Sequence, residues 1–107
     1  MQVSVTGRHV ELGDALEGHV RERLQAAVAK YFSDGIEAHV VFTREAHLIG
    51  ADIAIHVGGG ITHQSHAEAD QPVASFDLAA ARLEKRLRRH KRRLRDHRKS
   101  HGGEAAT

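Results

Sequence analysis

Val3 and Val5 alternate with Gln2, Ser4 and Thr6, and Gly7 closes the run. This period of two predicts a short strand with one buried face. From Asp14 the period changes: Leu16, Val20, Leu24, Ala27 and Tyr31 recur at spacings of four, four, three and four, one face of a helix. Leu12 stands where it can staple onto that face, and the Asp14 carboxylate favours a helix start. Gly18 lies inside the helix at a cost of about 1 kcal/mol against Ala. Ser33-Asp34-Gly35 joins turn formers to a glycine suited to a left-handed cap, so the helix is expected to end there.

Three more strands are predicted. Residues 36–43 are rich in β-formers, with Ile36, Ala38, Val40 and Phe42 on one face. Residues 51–57 alternate more cleanly, with Ile53, Ile55 and Val57 inward, and Gly58-Gly59-Gly60 then predicts a hairpin turn. Residues 62–69 form a weaker strand with Gln64, His66 and Glu68 outward. Its inward residues, Ser65, Ala67 and Ala69, are small, which predicts a helix packed closely over them. That helix opens near Pro72, a residue suited to a first turn, and carries the apolar stripe Phe76, Ala80, Leu83, Leu87 and Leu94. Run to about Arg98, it spans roughly 40 Å, more than a small four-stranded sheet covers. Its C-terminal turns are therefore expected to project beyond the core, residues 1–98 forming the domain and residues 99–107 a flexible tail or the start of a linker. The fold class is α+β in the order β-α-β-β-β-α, with both helices stacked on one face of a four-stranded sheet and the other face polar and exposed.

The length of 107 residues suits one domain, and aromatic residues at 4% against 40% hydrophobic residues predict an aliphatic core. With no cysteine, thiolate nucleophiles, disulfides and Cys-ligated zinc are excluded. No apolar run approaches the roughly 18 residues of a membrane span, and Met1-Gln2-Val3-Ser4 has neither the basic nor the apolar region of a signal peptide.

Net charge is only +2, yet its placement is lopsided. Residues 1–81 hold five basic and eleven acidic side chains, a balance of −6. Residues 82–99 hold eleven basic side chains against Glu84 and Asp96, a balance of +9, and Glu104 completes the total. A solvated helix face normally alternates sign; this one hardly does, and such asymmetry points to a polyanion. Arg82, Lys85, Arg86, Arg89 and Arg93 form a broad face beside the leucine stripe, widened by Arg88, Lys91, Arg92 and Arg95. Eight of the eleven cations are arginine, whose planar fork suits bidentate phosphate contacts. Membrane binding is disfavoured because the leucines of this helix are needed by the core.

The ten histidines do not form a metal signature. His63 and His66 are three apart on a strand and point to opposite faces, and the helical pair His97 and His101 has no carboxylate at matching positions. His39, His56 and His66 are expected on the exposed sheet face, and His90 and His97 in the basic helix, where protonation near pH 6 would strengthen polyanion binding. No Gly-x-Ser-x-Gly, phosphate loop or His-Glu-x-x-His is present, and Gly58-Gly59-Gly60 does not precede a helix. Catalysis, cofactors, metals and small-molecule substrates are not expected.

Several segments resemble the ribosome hibernation promoting factor and ribosome-associated inhibitor (protein Y) family. These are residues 1–12, Lys30-Tyr31-Phe32, His56-Val57-Gly58-Gly59-Gly60, and the leucines interleaved with Lys and Arg over residues 77–97, including His90-Lys91. The resemblance extends from residue 1 to about 98. It implies a fold like double-stranded RNA-binding domains with an added first strand, and a cytoplasmic factor that binds the small ribosomal subunit where messenger and transfer RNA sit, silencing idle ribosomes. It carries ribosomal RNA contacts onto Arg82, Lys85, Arg86, Arg89, Lys91 and Arg93 of the second helix and Arg21, Arg23 and Lys30 of the first. Where members commonly have Asp-Met-Tyr before the second helix, this chain has Gln71-Pro72-Val73. Long members add a linker and a domain that pairs ribosomes, so a chain of this length is expected to act as a monomer on single ribosomes. A general double-stranded RNA- or DNA-binding module is the alternative, and a domain docking an acidic protein is a third reading.

Overall fold

The computed structural model describes the backbone of residues 1–32, 37–57 and 60–106, and the side chains of those residues as far as Arg93. The elements are β1 (Gln2–Arg8), α1 (Asp14–Ala29), β2 (Glu37–Glu45), β3 (Leu48–Val57), β4 (Ile61–Ala69) and α2 (Pro72–Ala106), in the expected order β-α-β-β-β-α. The strands lie side by side in chain order; β1 runs parallel to β2, and the other neighbours are antiparallel. The parallel pair follows from connectivity, because α1 carries the chain back across the sheet between β1 and β2.

Both helices cover one face. On the sheet side the core is Val3, Ala38, Val40, Phe42, Ala51, Ile53, Ile55, Val57 and Ala67, all buried. Leu16, Val20, Leu24 and Val28 of α1 and Phe76, Ala79, Ala80, Leu83 and Leu87 of α2 close over it. The small residues on β4 do what their size predicts: Ser65 and Ala67 are buried, and the Ser65 hydroxyl donates to the Ala79 carbonyl at 2.8 Å. Tyr31 is only partly buried, while Val28, absent from the predicted stripe, is buried. At the other end of α1, Gly7 admits a close approach. A Cβ there would stand 2.5 Å from the Val10 carbonyl oxygen and 3.0 Å from Leu12, which packs on the core as expected.

Element ends differ from the reading of the sequence. Helix α1 stops at Ala29, four residues before Ser33, with Lys30 as its cap and the Tyr31 and Phe32 amides donating to the Val28 carbonyl. The proposed cap at Ser33-Asp34-Gly35, the face position of Ile36 and the turn residues Gly58 and Gly59 lie outside the described residues. Strands β2 and β3 are longer than expected. They meet at Glu45 and Leu48, across a two-residue turn in which Ala46 has φ 56°. Pro72 opens α2 as expected. The helical backbone then continues through Ala106, 35 residues and about 52 Å. The molecule is accordingly 58 Å long but only 23 × 20 Å across. The Leu94 side chain lies outside the description.

Candidate nucleic-acid interface

β4 is an edge strand, so alternate carbonyls along it lack a strand partner. Helix α2 lies along this edge and supplies the missing donors. Arg82 donates to the His66 carbonyl at 2.7 Å, and Arg86 donates to the Gln64 carbonyl. The match is geometric. Four helical residues rise about 6 Å, close to the roughly 6.6 Å spanned by two strand residues, so consecutive turns of an antiparallel helix meet alternate carbonyls. A guanidinium has five N–H donors, so these bonds orient both side chains and leave donors facing solvent. One turn further on, His90 meets His63 with ring centroids 4.7 Å apart in an edge-to-face arrangement. Arg86, Arg89, His90, Arg93 and His63 line a shallow cleft there, and every one of them is basic.

The other flank of α2 faces α1 and is organised differently. Arg23 bonds to Asp77 at 3.3 Å and to Glu84 at 3.1 Å, and His19 bonds to Asp77 at 2.7 Å. Lys30 stands 3.7 Å from Glu84, with its own side chain 64% exposed. Lys91 donates to the Lys30 carbonyl at 3.0 Å, and Tyr31 shares a surface hollow with Arg88, Lys91 and Arg92. This carbonyl accepts because α1 has just ended, which leaves its last-turn acceptors free.

The opposite sheet face is polar and rich in histidine, as predicted. His39 and His56 lie 5.5 Å apart, bonded to Ser4 and Thr62 respectively. His66 bonds to Asp52 at 2.8 Å and to Glu68 at 3.4 Å. Desolvation lowers the His66 pKa, but hydrogen bonds to Asp52 and Glu68 and their negative charge outweigh it, so the net shift is upward. His63 points to the other face, toward α2. Burial first, then the positive charge of His90, Arg86 and Arg93, holds its pKa below the ordinary value.

Of the nine cations singled out from sequence, Arg82, Lys85, Arg86 and Arg89 are exposed on α2, with Arg93 continuing the same surface. Lys91 and Lys30 meet at the α1 end. Arg23 is committed to the seam between the helices, and Arg21 turns away from α2 to donate to the Val3 carbonyl at 2.8 Å. Sequence reasoning missed the approach of His63 to the basic helix, because twenty-six residues and a strand-to-helix turn separate His63 from Lys91's neighbour His90. The inward parity of His63, shared with Ser65 and Ala67, was the available signal.

Residues 3–95 match the family model described as sigma 54 modulation protein / S30EA ribosomal protein. The chain is 38% identical over 102 residues to a ribosome hibernation promotion factor of Rhizobium meliloti strain 1021, an alignment covering 95% of this chain and 54% of that protein. It is 33% identical over 97 residues to a ribosome hibernation promoting factor of Escherichia coli K12, covering 91% of this chain and all of the relative. This chain therefore spans about half the length of the first relative and the whole of the second. The crystal structure of the Thermus thermophilus protein Y N-terminal domain superposes with a TM-score of 0.75 at 26% identity, covering 84% of this chain and 99% of that one.

Proposed function

The chain belongs to the sigma 54 modulation protein / S30EA ribosomal protein family, and from that premise we propose that it is a non-catalytic ribosome hibernation factor. It acts in the cytoplasm, binding the small ribosomal subunit through ribosomal RNA in the channel that messenger and transfer RNA would use. The observation that carries this reading is the arginine flank of α2. Arg82 and Arg86 are oriented by the β4 edge, Arg89 and Arg93 extend the row, and among the described residues the cleft shared by Arg86, Arg89 and Arg93 is lined by no carboxylate.

Recognition is of phosphate and shape. Among the described residues the sheet face offers no row of aromatic rings on which unpaired bases could stack, and the partly buried Tyr31 and Phe32 pack on the core. Lys30 and Lys91 extend the contact toward α1, whereas Arg23 holds the two helices together. Among the described residues, only Met1, Ile61, Val73 and Leu78 are large apolar side chains left exposed, and they lie on three different elements or termini, which favours binding as a single copy.

The test is cosedimentation of the chain with small ribosomal subunits, with and without added messenger and transfer RNA. Binding that competes with both RNAs is expected. Lys85→Glu with Arg89→Glu should abolish it without loss of fold, since neither side chain makes a described bond within the protein. Retention of that variant in the ribosomal fraction would refute the site. Preference for a free RNA duplex over subunits would favour a general duplex-binding module.

A further inference from the structure

The cleft between β4 and α2 has features that a row of solvated arginines does not need. His63 is turned inward toward the helix, and its Nε2 is buried and has no hydrogen-bond partner among the described residues. A buried polar nitrogen without a partner is rare and costly in a folded protein. Its ring abuts His90, whose ring also neighbours Phe32 at a centroid distance of 6.0 Å. Around the pair stand Arg86, Arg89 and Arg93 from α2. The site therefore contains five basic side chains, two of them imidazoles.

Resting on the proposed RNA partner, we propose that this cleft is a proton-coupled seat for one phosphate of an RNA backbone, in which binding the phosphodiester places a proton on the His63–His90 pair. Without an anion, the arginines and the apolar surroundings oppose a positive imidazole. The burial and cationic neighbours that lower the His63 pKa act in this direction. A phosphate oxygen in the cleft reverses the balance by accepting from the guanidinium groups and offsetting their charge, so that an imidazolium N–H gains an acceptor. The proton comes from solvent and returns to it on release, and no covalent bond changes. Binding by this seat strengthens as pH falls through the histidine range. Among the described residues, the groups that face the pair are Arg86, Arg89 and Arg93 from α2 and Phe32 beyond the end of α1. The sheet-face residues His39, His56, His66, Asp52 and Glu68 lie on the other side of the sheet.

The experiment follows the imidazole resonances of the full chain by NMR as inorganic phosphate, and separately a short RNA duplex, is added at fixed ionic strength. The largest changes are expected at His63 and His90, with the His63 titration midpoint moving up when RNA is bound. In parallel, affinity for small ribosomal subunits is measured from pH 7.5 to 5.5. It should rise by up to about tenfold per pH unit across the linked range. His63→Gln with His90→Gln should flatten that rise across the same pH range. Because the double variant removes two packed rings, His90→Gln alone and the NMR titration of the unaltered chain test the same point. A response to inorganic phosphate alone, with none to RNA, overturns an RNA seat in favour of a free-anion site. Imidazoles that do not respond while RNA is bound overturn the proposal, as does a pH slope that survives in His63→Gln with His90→Gln. Failure to bind subunits at any pH refutes the ribosomal reading instead, and the duplex titration then decides the seat on its own.

Discussion

Gly18 sits in the exposed part of α1, and a Cβ built on it meets nothing within 4 Å. Its replacement by Ala therefore costs no clash and removes a helix-interior glycine. Gly18→Ala should stabilise the fold by about 0.5–1 kcal/mol, measured as a higher urea midpoint at unchanged slope. The two perturbed histidines act on stability in opposite senses. His66 has a raised pKa, so its contribution is complete below the unfolded-state value near 6.5 and is lost as pH rises through the folded value. His63 has a lowered pKa, so its contribution is complete above about 6.5 and is lost as pH falls toward the folded value. Between pH 8 and 5.5, His66→Gln should lose the part of stability that grows toward acid, and His63→Gln should become less sensitive to acid than the parent. Denaturant titrations at several pH values check both signs.

At the scale of elements, α2 is held by its leucines and steered by its arginines. Leu83 and Leu87 are fully buried beneath the sheet-facing side of the helix. Leu83→Ala should cost about 2–5 kcal/mol by lost transfer energy and a residual cavity. Arg23 belongs to the same scale, since it bridges Asp77 and Glu84 across the helix seam. These pairs are partly exposed, so Arg23→Gln should lower stability by about 0.5–1 kcal/mol and weaken ribosome association less than Lys85→Glu with Arg89→Glu. Chemical denaturation of the two variants beside cosedimentation separates the roles. The elements themselves were legible because each has a clear period. Their ends were less so. Helix α1 stops at Ala29 because Val28 takes the Tyr31 and Phe32 amides, a local closure that competes with the downstream Ser33-Asp34-Gly35 signal. The turn between β2 and β3 was invisible because Ala46-His47 contains no glycine, asparagine or proline, although Ala46 adopts φ 56°.

At the scale of the whole molecule, charge and shape reinforce each other. A body carrying −6 over residues 1–81 bears a stretch of +9 on a helix that runs most of the 58 Å long axis. If six phosphates are neutralised by Arg82, Lys85, Arg86, Arg89, Lys91 and Arg93, log affinity for subunits should fall with log salt at a slope of about −4 to −5. Binding measured over a salt series at fixed pH checks it, and a slope near zero would remove the electrostatic account.

The element order, the aliphatic core and the confinement of positive charge to residues 82–99 were determined by the sequence alone, because period and charge are local properties that neighbouring residues carry in full. Which cations lie together was decided only by the tertiary structure. Arg21, Arg23 and Lys30 look alike along the chain, yet one reaches a β1 carbonyl, one closes the helix seam and one joins Lys91. The same holds for His63 and His90, which meet only because α2 runs antiparallel along the edge of β4 at a rise per turn that matches the strand. Contacts of that kind depend on how two elements are laid against each other, and no single stretch of sequence contains that information.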